Sequence, residues 1–181
     1  MPFNFEEVLA IHCSPTFCGV KSANLFNCNK IKFPNIKSYI NEINKLKNIS
    51  CYILNESNEN ILLLIYNKKN LENKLNEKSN YNFLYNLNYP YTSLFDNLNY
   101  LKERIQKSNS FPHEIGIFLD YPLEDVVGFL NNEKSLYTGY WKVYKNVDEK
   151  IKLFSKYNEC KEYFLDSLYD GKKIHNIINF F

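Results

Sequence analysis

Residues 111–130, FPHEIGIFLDYPLEDVVGFL, carry the turn and polar residues whose placement is most informative about the fold. Phe111-Pro112 is an extended breaker, because the proline ring disfavours helical backbone in the residue before it. Ile115, Ile117 and Leu119 then alternate with Glu114, Gly116 and Phe118, the period of a short strand. Pro122 stands where a helix begins, and Glu124 and Asp125 fill its first turn, where the helix dipole favours negative charge. Leu123, Val126, Val127 and Leu130 fall at i, i+3, i+4 and i+7 and make one apolar face. The stretch therefore reads as strand, tight turn, helix. His113 and Glu114 open the strand, and Asp120-Tyr121-Pro122 closes it on the side where open α/β layers bind ligands.

On the N-terminal side, Asn4 with Glu7 reads as a capping box for a helix whose stripe is Phe5, Val8, Leu9, His12 and Cys13, so both His12 and Cys13 are expected to point inward. Ser14-Pro15 reads as the cap and first residue of another short helix, which places Cys13 beside its amide-rich end, where a thiolate is favoured. Gly19 ends this turn, and Val20 to Cys28 is a strand candidate. Asn35 caps a helix striped by Ile36, Tyr39, Ile40, Ile43 and Leu46. Residues 50–55 and 61–67 form a hairpin across Glu56 to Asn60. Helices follow at 68–77 and 81–87. The most amphipathic helix carries Leu94, Leu98, Leu101 and Ile105, and ends in the loop Ser108-Asn109-Ser110. After residue 130 come a strand at 137–144 with the motif TGYWKVY, helices near 148–157 and 159–169, Gly171 as a stop, and a helical tail to Phe181. The expected fold is a single α+β domain over residues 1–181, with a small mixed or antiparallel sheet of about four to five strands covered by helices.

Bulk properties narrow the function. Lys and Arg total 22 against 20 Asp and Glu, and Arg104 is the single arginine. With charges interspersed and almost no Arg for bidentate phosphate contacts, nucleic-acid binding is not expected. No apolar run approaches a membrane span, and MPFNFEEVLAIHC carries acid where a signal peptide carries base, so a cytoplasmic location is expected. Five cysteines without a scaffold spacing point to reduced thiols, and five glycines without a phosphate-loop spacing argue against the usual nucleotide enzymes.

Three segments, HCSPTFCGVKSANLF at 12–26, FPHEIGIFLDYPLEDVVGF at 111–129 and GYWKVY at 139–144, resemble the signature blocks of the DUF3793 family, a domain of unknown function found mostly in anaerobic bacteria. The resemblance spans nearly the whole chain. It implies a link to iron, haem or low-potential electron transfer, with a flavodoxin-like redox protein as partner. Cys18 stands where the family pattern has a small residue and Asp120 where it has Gly. The resemblance thus implies that Cys18 is no essential ligand and that the turn at Asp120 can be built without a carboxylate.

Two sites follow from the residues. The first gathers His12, Cys13, His113 and Glu114 into one ligand pocket, with Lys21 available to hold an anion and Tyr121 in the adjoining turn. Imidazole, thiolate and carboxylate can bind a transition metal or an axially held haem or other tetrapyrrole. They can also serve as a Cys13 nucleophile, a His113 base and a Glu114 orienter. A structural metal site is not expected, because the four-residue gap between Cys13 and Cys18 lacks a matching second pair. The alternative is that His12 and Cys13 are core side chains and that His113 and Glu114 cap a strand end. The second site is the 137–144 strand. Alternation places Trp141 and Val143 in the core and presents Tyr140, Lys142 and Tyr144 to a small planar ligand or a protein partner.

Overall fold

ILLLIY, residues 61–66, has the apolar run of a strand buried on both faces, and it forms the middle of the sheet. The computed structural model describes residues 4–107 and 110–178. Along this chain run α1 (Phe5–Phe17), β1 (Ala23–Asn29), α2 (Ile36–Asn44), β2 (Ile49–Glu56), β3 (Asn60–Asn67), α3 (Lys68–Asn76), α4 (Lys78–Tyr85) and α5 (Leu94–Lys107). The single helical turn α6 (Ile115–Phe118) follows, then α7 (Leu123–Leu130), the two-residue strands β4 (Tyr137–Thr138) and β5 (Lys142–Val143), α8 (Val147–Tyr169) and α9 (Ile174–Ile178). The expected loop residues Ser108 and Asn109, and the end of the tail from Asn179 to Phe181, lie outside the described residues.

The first sheet is antiparallel in the order β1-β3-β2, and β4 and β5 make a separate antiparallel ribbon. This is the expected mixed helix-and-sheet architecture, its strands divided between a three-stranded sheet and a ribbon. Alternation along β3 sorts the core. Ile61, Leu63 and Ile65 face a cluster built from α1, α2, α9 and Phe164 of α8. Leu64, flanked by Leu62 and Tyr66, faces a second cluster built from α3, α4, α5, α6 and α7. A third cluster, Trp141, Val143, Phe154 and Tyr157, joins the ribbon to α8.

Several expectations are corrected. The Ile115 to Leu119 strand is instead a helical turn, with Ile117 N–H bonded to the Glu114 carbonyl and Leu119 N–H to the Ile115 carbonyl. Every residue from Ile115 to Leu119 is buried, so the alternation in the sequence has no solvent face to correspond to. Helix α1 does not restart at Pro15 but runs through it to Phe17; the helix tolerates the missing N–H, and the Pro15 carbonyl accepts from both Val20 and Lys21. Residues 147–169 are one helix, because neither Gly nor Pro interrupts them at 158–159. The 137–144 strand is broken into a ribbon turning at Gly139-Tyr140, and its Tyr144 is buried, not on an outer face. The capping box at Asn4 and Glu7 forms with both reciprocal bonds.

Two glycines set the spacing beside the ribbon. A Cβ at Gly116 would meet Val126 at 2.8 Å, and one at Gly128 would meet the Tyr144 ring at 2.6 Å. Gly128→Ala should therefore cost about 1–3 kcal/mol, and Leu64→Ala in the fully buried sheet centre about 2–5 kcal/mol. Urea unfolding checks both, and equal small losses would contradict the packing described.

Candidate functional site

The turn between α6 and α7 and the β4–β5 ribbon are brought together by one carboxylate. Asp125 is buried in the first turn of α7; its Oδ2 accepts from Trp141 Nε1–H at 2.8 Å and its Oδ1 from the Tyr144 N–H at 2.7 Å. With each oxygen accepting one bond from the ribbon, the buried Asp125 fixes the position of Trp141 and of the Tyr144 backbone. Trp141 then lies stacked on Tyr121, centroids 4.6 Å apart at 24°, and meets Phe154 edge-on at 4.6 Å. On α7, the exposed Phe129 ring is met edge-on by His113 at 4.9 Å, and Lys142 Nζ lies 5.5 Å from the centre of the same ring.

These groups line a cleft of about 280 Å3, with His113, Tyr121, Phe129, Tyr140, Trp141 and Lys142 contributing its aromatic and basic surface. Its floor is closed by Ile115, Gly116 and Val126. Tyr140 is held at the rim by its Oη–H, which donates to Asn158 Oδ1 at 2.8 Å.

Behind Tyr121 lies Lys21, 4 % exposed, with its Nζ 5.5 Å from the Tyr121 ring centre and 5.7 Å from that of Tyr157. Burial pulls the Lys21 pKa down to about 8, against the upward pull of the Asp120 carboxylate and the Cys13 sulfur. Tyr157 is fully buried with its Oη unbonded, and burial followed by the nearby Asp120 charge raises its pKa. Asp120 adopts left-handed backbone at φ 68°, accepts from Ser22 N–H at 3.0 Å and pairs with Lys74 Nζ at 3.5 Å. The carboxylate thus ties the α6–α7 turn to the segment before β1.

The fold brings Lys21, His113, Tyr121, Tyr140 and Trp141 to this region and leaves three other predicted site residues away from it. Cys13 is fully buried within α1, in the cluster on the opposite face of the sheet from α6 and α7. Burial, followed by the neighbouring Cys51 sulfur, drives its pKa far upward, the reverse of the activation expected at a helix N-terminus. A Cys13 nucleophile with a His113 base and a Glu114 orienter is not assembled. His12 is exposed, not inward-facing, beside Phe26 at 5.5 Å, and partial burial lowers its pKa. Glu114 is buried below His113 and is spent on a structural pair, its Oε1 accepting from Arg104 Nε and from Tyr89 Oη. Among the described residues no group of three or more His, Cys, Asp and Glu side chains could hold a metal ion, and no helix is long and apolar enough to cross a membrane.

Sequence reasoning passed over Asp125 and Phe129, while Lys142, expected on the presented face of the 137–144 strand, does line the cleft. Asp125 has the signature of a dipole-complementing residue at a helix start, and nothing in the one-dimensional pattern distinguishes that from a buried clamp. Phe129 lies off the apolar stripe of α7, which was the available signal that it serves something other than the core.

The fold and cleft define a small α+β protein with an aromatic-lined cleft between α7 and the β4–β5 ribbon. The chain belongs to the DUF3793 family, described as a protein of unknown function, whose model matches residues 9–178. No curated protein and no solved structure matches it.

Asp125→Ala leaves two buried donors unpaired and should cost about 2–4 kcal/mol, whereas Asp125→Asn, which keeps an acceptor, should cost less; chemical denaturation ranks the two. For Lys21, the unfolded chain titrates at its ordinary 10.5 and the folded chain at about 8. Between those values the unfolded state binds more protons, so this residue's contribution becomes more favourable as pH rises through the window, and the full burial penalty applies below it. Lys21→Met should therefore stabilise the protein at pH 7 by on the order of 3 kcal/mol, with the advantage shrinking from pH 8 to 10.5. An advantage independent of pH would show that Lys21 is not desolvated.

Proposed function

We propose that the protein binds a small planar ligand carrying an anionic group in the cleft between α7 and the β4–β5 ribbon. The observation that carries this reading is the convergence of four aromatic side chains, Tyr121, Phe129, Tyr140 and Trp141, on one open volume edged by Lys142 and His113. Aromatic faces and edges reward a flat ring system, and Lys142 supplies positive charge, whereas the one carboxylate in the lining, Asp125, is consumed by Trp141 and Tyr144. The volume lies just below the roughly 300–1,000 Å3 of small-molecule clefts, which favours one or two rings over a tetrapyrrole. The iron, haem and flavodoxin-linked roles are implied by the family resemblance, and of the His12, Cys13, His113 and Glu114 side chains considered for a metal or haem, His113 lines this cleft and the other three do not.

Trp141 is the single tryptophan of the chain, so its fluorescence reports occupancy of this cleft without labelling. Titration with a panel of one- and two-ring aromatic carboxylates and phosphates should give saturable quenching by at least one member. Phe129→Ala and Lys142→Ala should each weaken that affinity by about tenfold, with the melting temperature nearly unchanged because both side chains are exposed. Absence of saturable quenching across the panel up to millimolar ligand, or affinity indifferent to both substitutions, would overturn the reading.

A further inference from the structure

The two outer edges of the main sheet are built differently. In the order β1-β3-β2, both β1 and β2 turn one row of main-chain groups away from β3. On β2 the outward N–H of Cys51 is taken by Asn44 Oδ1 at 2.7 Å, the register shifts between Ile53 and Asn55, and α2 and α5 pack on the strand. A bulge and a covering element are ordinary devices that stop a further strand from adding.

Along β1 the pairing with β3 runs without a register shift, and the strand ANLFNCN holds no charged residue to repel a neighbour. The ladder shows which of its groups are open. Asn67 N–H donates to the Ser22 carbonyl and Lys30 N–H to the Glu59 carbonyl, so the even-numbered residues turn their main chain toward β3. The odd-numbered residues turn theirs outward. Of these, Ala23 is fully buried, and the Asn29 carbonyl accepts from Phe33 N–H at 3.0 Å. Leu25 is half-buried and Asn27 exposed, and within the described residues no hydrogen bond reaches their outward N–H and C=O groups. No residue of β1 lines the aromatic cleft.

We propose that β1 pairs antiparallel with β1 of a second copy of this chain, about a two-fold axis at Phe26, merging the two sheets in the order β2-β3-β1-β1-β3-β2. The open groups fix the register. With Phe26 opposite Phe26, Leu25 of each copy faces Asn27 of the other, and each such pair exchanges N–H···O=C bonds in both directions, so every open group is used. An axis at Leu25 would direct bonds at the buried Ala23, and one at Asn27 would direct them at the occupied Asn29 carbonyl. Self-complementarity selects a second copy over an unrelated peptide, because the strand matches itself in length, hydrogen-bond phase and lack of charge. Exposed Val20 and Ile31 lie just outside opposite ends of β1, and an antiparallel pair brings the end bearing Val20 beside the end bearing Ile31 of the other copy. So short an edge buries little apolar surface, and the dimer is a weak one, with a Kd between about 1 μM and 1 mM.

The test is made on the full chain by sedimentation velocity and amide hydrogen exchange across that concentration range. A dimer should accumulate with concentration, and the amides of Leu25 and Asn27 should gain protection in step, while those of Asn24 and Phe26, already bonded to β3, change little. Asn27→Lys sets two positive charges diagonally across the axis and should weaken the dimer by about tenfold or more. Asn86→Lys, the same change at the exposed end of α4, should leave the dimer as it is. The proposal fails if the wild-type chain stays monomeric up to about 1 mM, if a dimer forms without added protection at Leu25 and Asn27, or if Asn27→Lys dimerises as tightly as wild type. Because amide protection is read on the wild-type chain, poor folding of a variant does not shield the proposal.

Discussion

The structure depends on the two-sidedness of β3. Ile61, Leu63 and Ile65 on one face and Leu64 on the other are withdrawn from water, with Leu62 and Tyr66 partly so, and a three-stranded sheet can achieve that only if helices cover both sides. Each fully buried Leu or Ile is worth about 1.5–3 kcal/mol of transfer free energy, so this constraint outweighs any single polar contact in the molecule. It assigns α1, α2 and α9 to one layer and α3 to α7 to the other. The thiol in α1 and the imidazole ahead of α6 are thereby separated. Lys21, immediately before β1, interacts with groups of both layers, Cys13 and Asp120.

Within the second layer, the cleft is a consequence of polar satisfaction. The ribbon has only two residue pairs of its own and would be marginal in isolation. Asp125 holds it by a side-chain and a main-chain donor at once, in a buried setting where charge-assisted bonds are strong and a missing partner is costly. Gly116 and Gly128 admit Val126 and Tyr144 at distances that a side chain would forbid. The aromatic lining is therefore positioned by residues of the cleft's own floor and wall, Gly116, Asp125 and Val126, whose packing and hydrogen bonds fix the ribbon against α7.

Local signals were legible wherever a single element satisfied its own requirements. The capping box at Asn4 and Glu7, the hairpin of β2 and β3, the start of α7 at Pro122 and the stop at Gly171 follow from propensity and backbone chemistry within a few residues. Errors arose where one pattern serves two states. Ile115 to Leu119 alternates like a strand, yet alternation is meaningful only if one face meets water, and here neither does. Pro15 has the signature of a helix start, yet the burial of Cys13, Ser14, Thr16 and Phe17 against the rest of the core carries the helix through it.

For a candidate site, composition and spacing pointed to His12, Cys13, Lys21, His113, Glu114, Tyr121, Tyr140 and Trp141, because polar and aromatic residues clustered beside turn signals stand out from an apolar periodicity, and His12, Cys13 and Glu114 do not line the cleft. By itself the sequence determined the helix-and-sheet class, most element positions and membership in a family whose blocks are contiguous in the chain. Tertiary structure alone decided which of those residues meet. Cys13 and His113 are divided by a sheet whose two faces are both buried, while Asp125 and Trp141 are joined by packing between separate elements. The physical reason is that periodicity tells a residue to be inside or outside, whereas the partner it finds there is set by the layer into which its element packs.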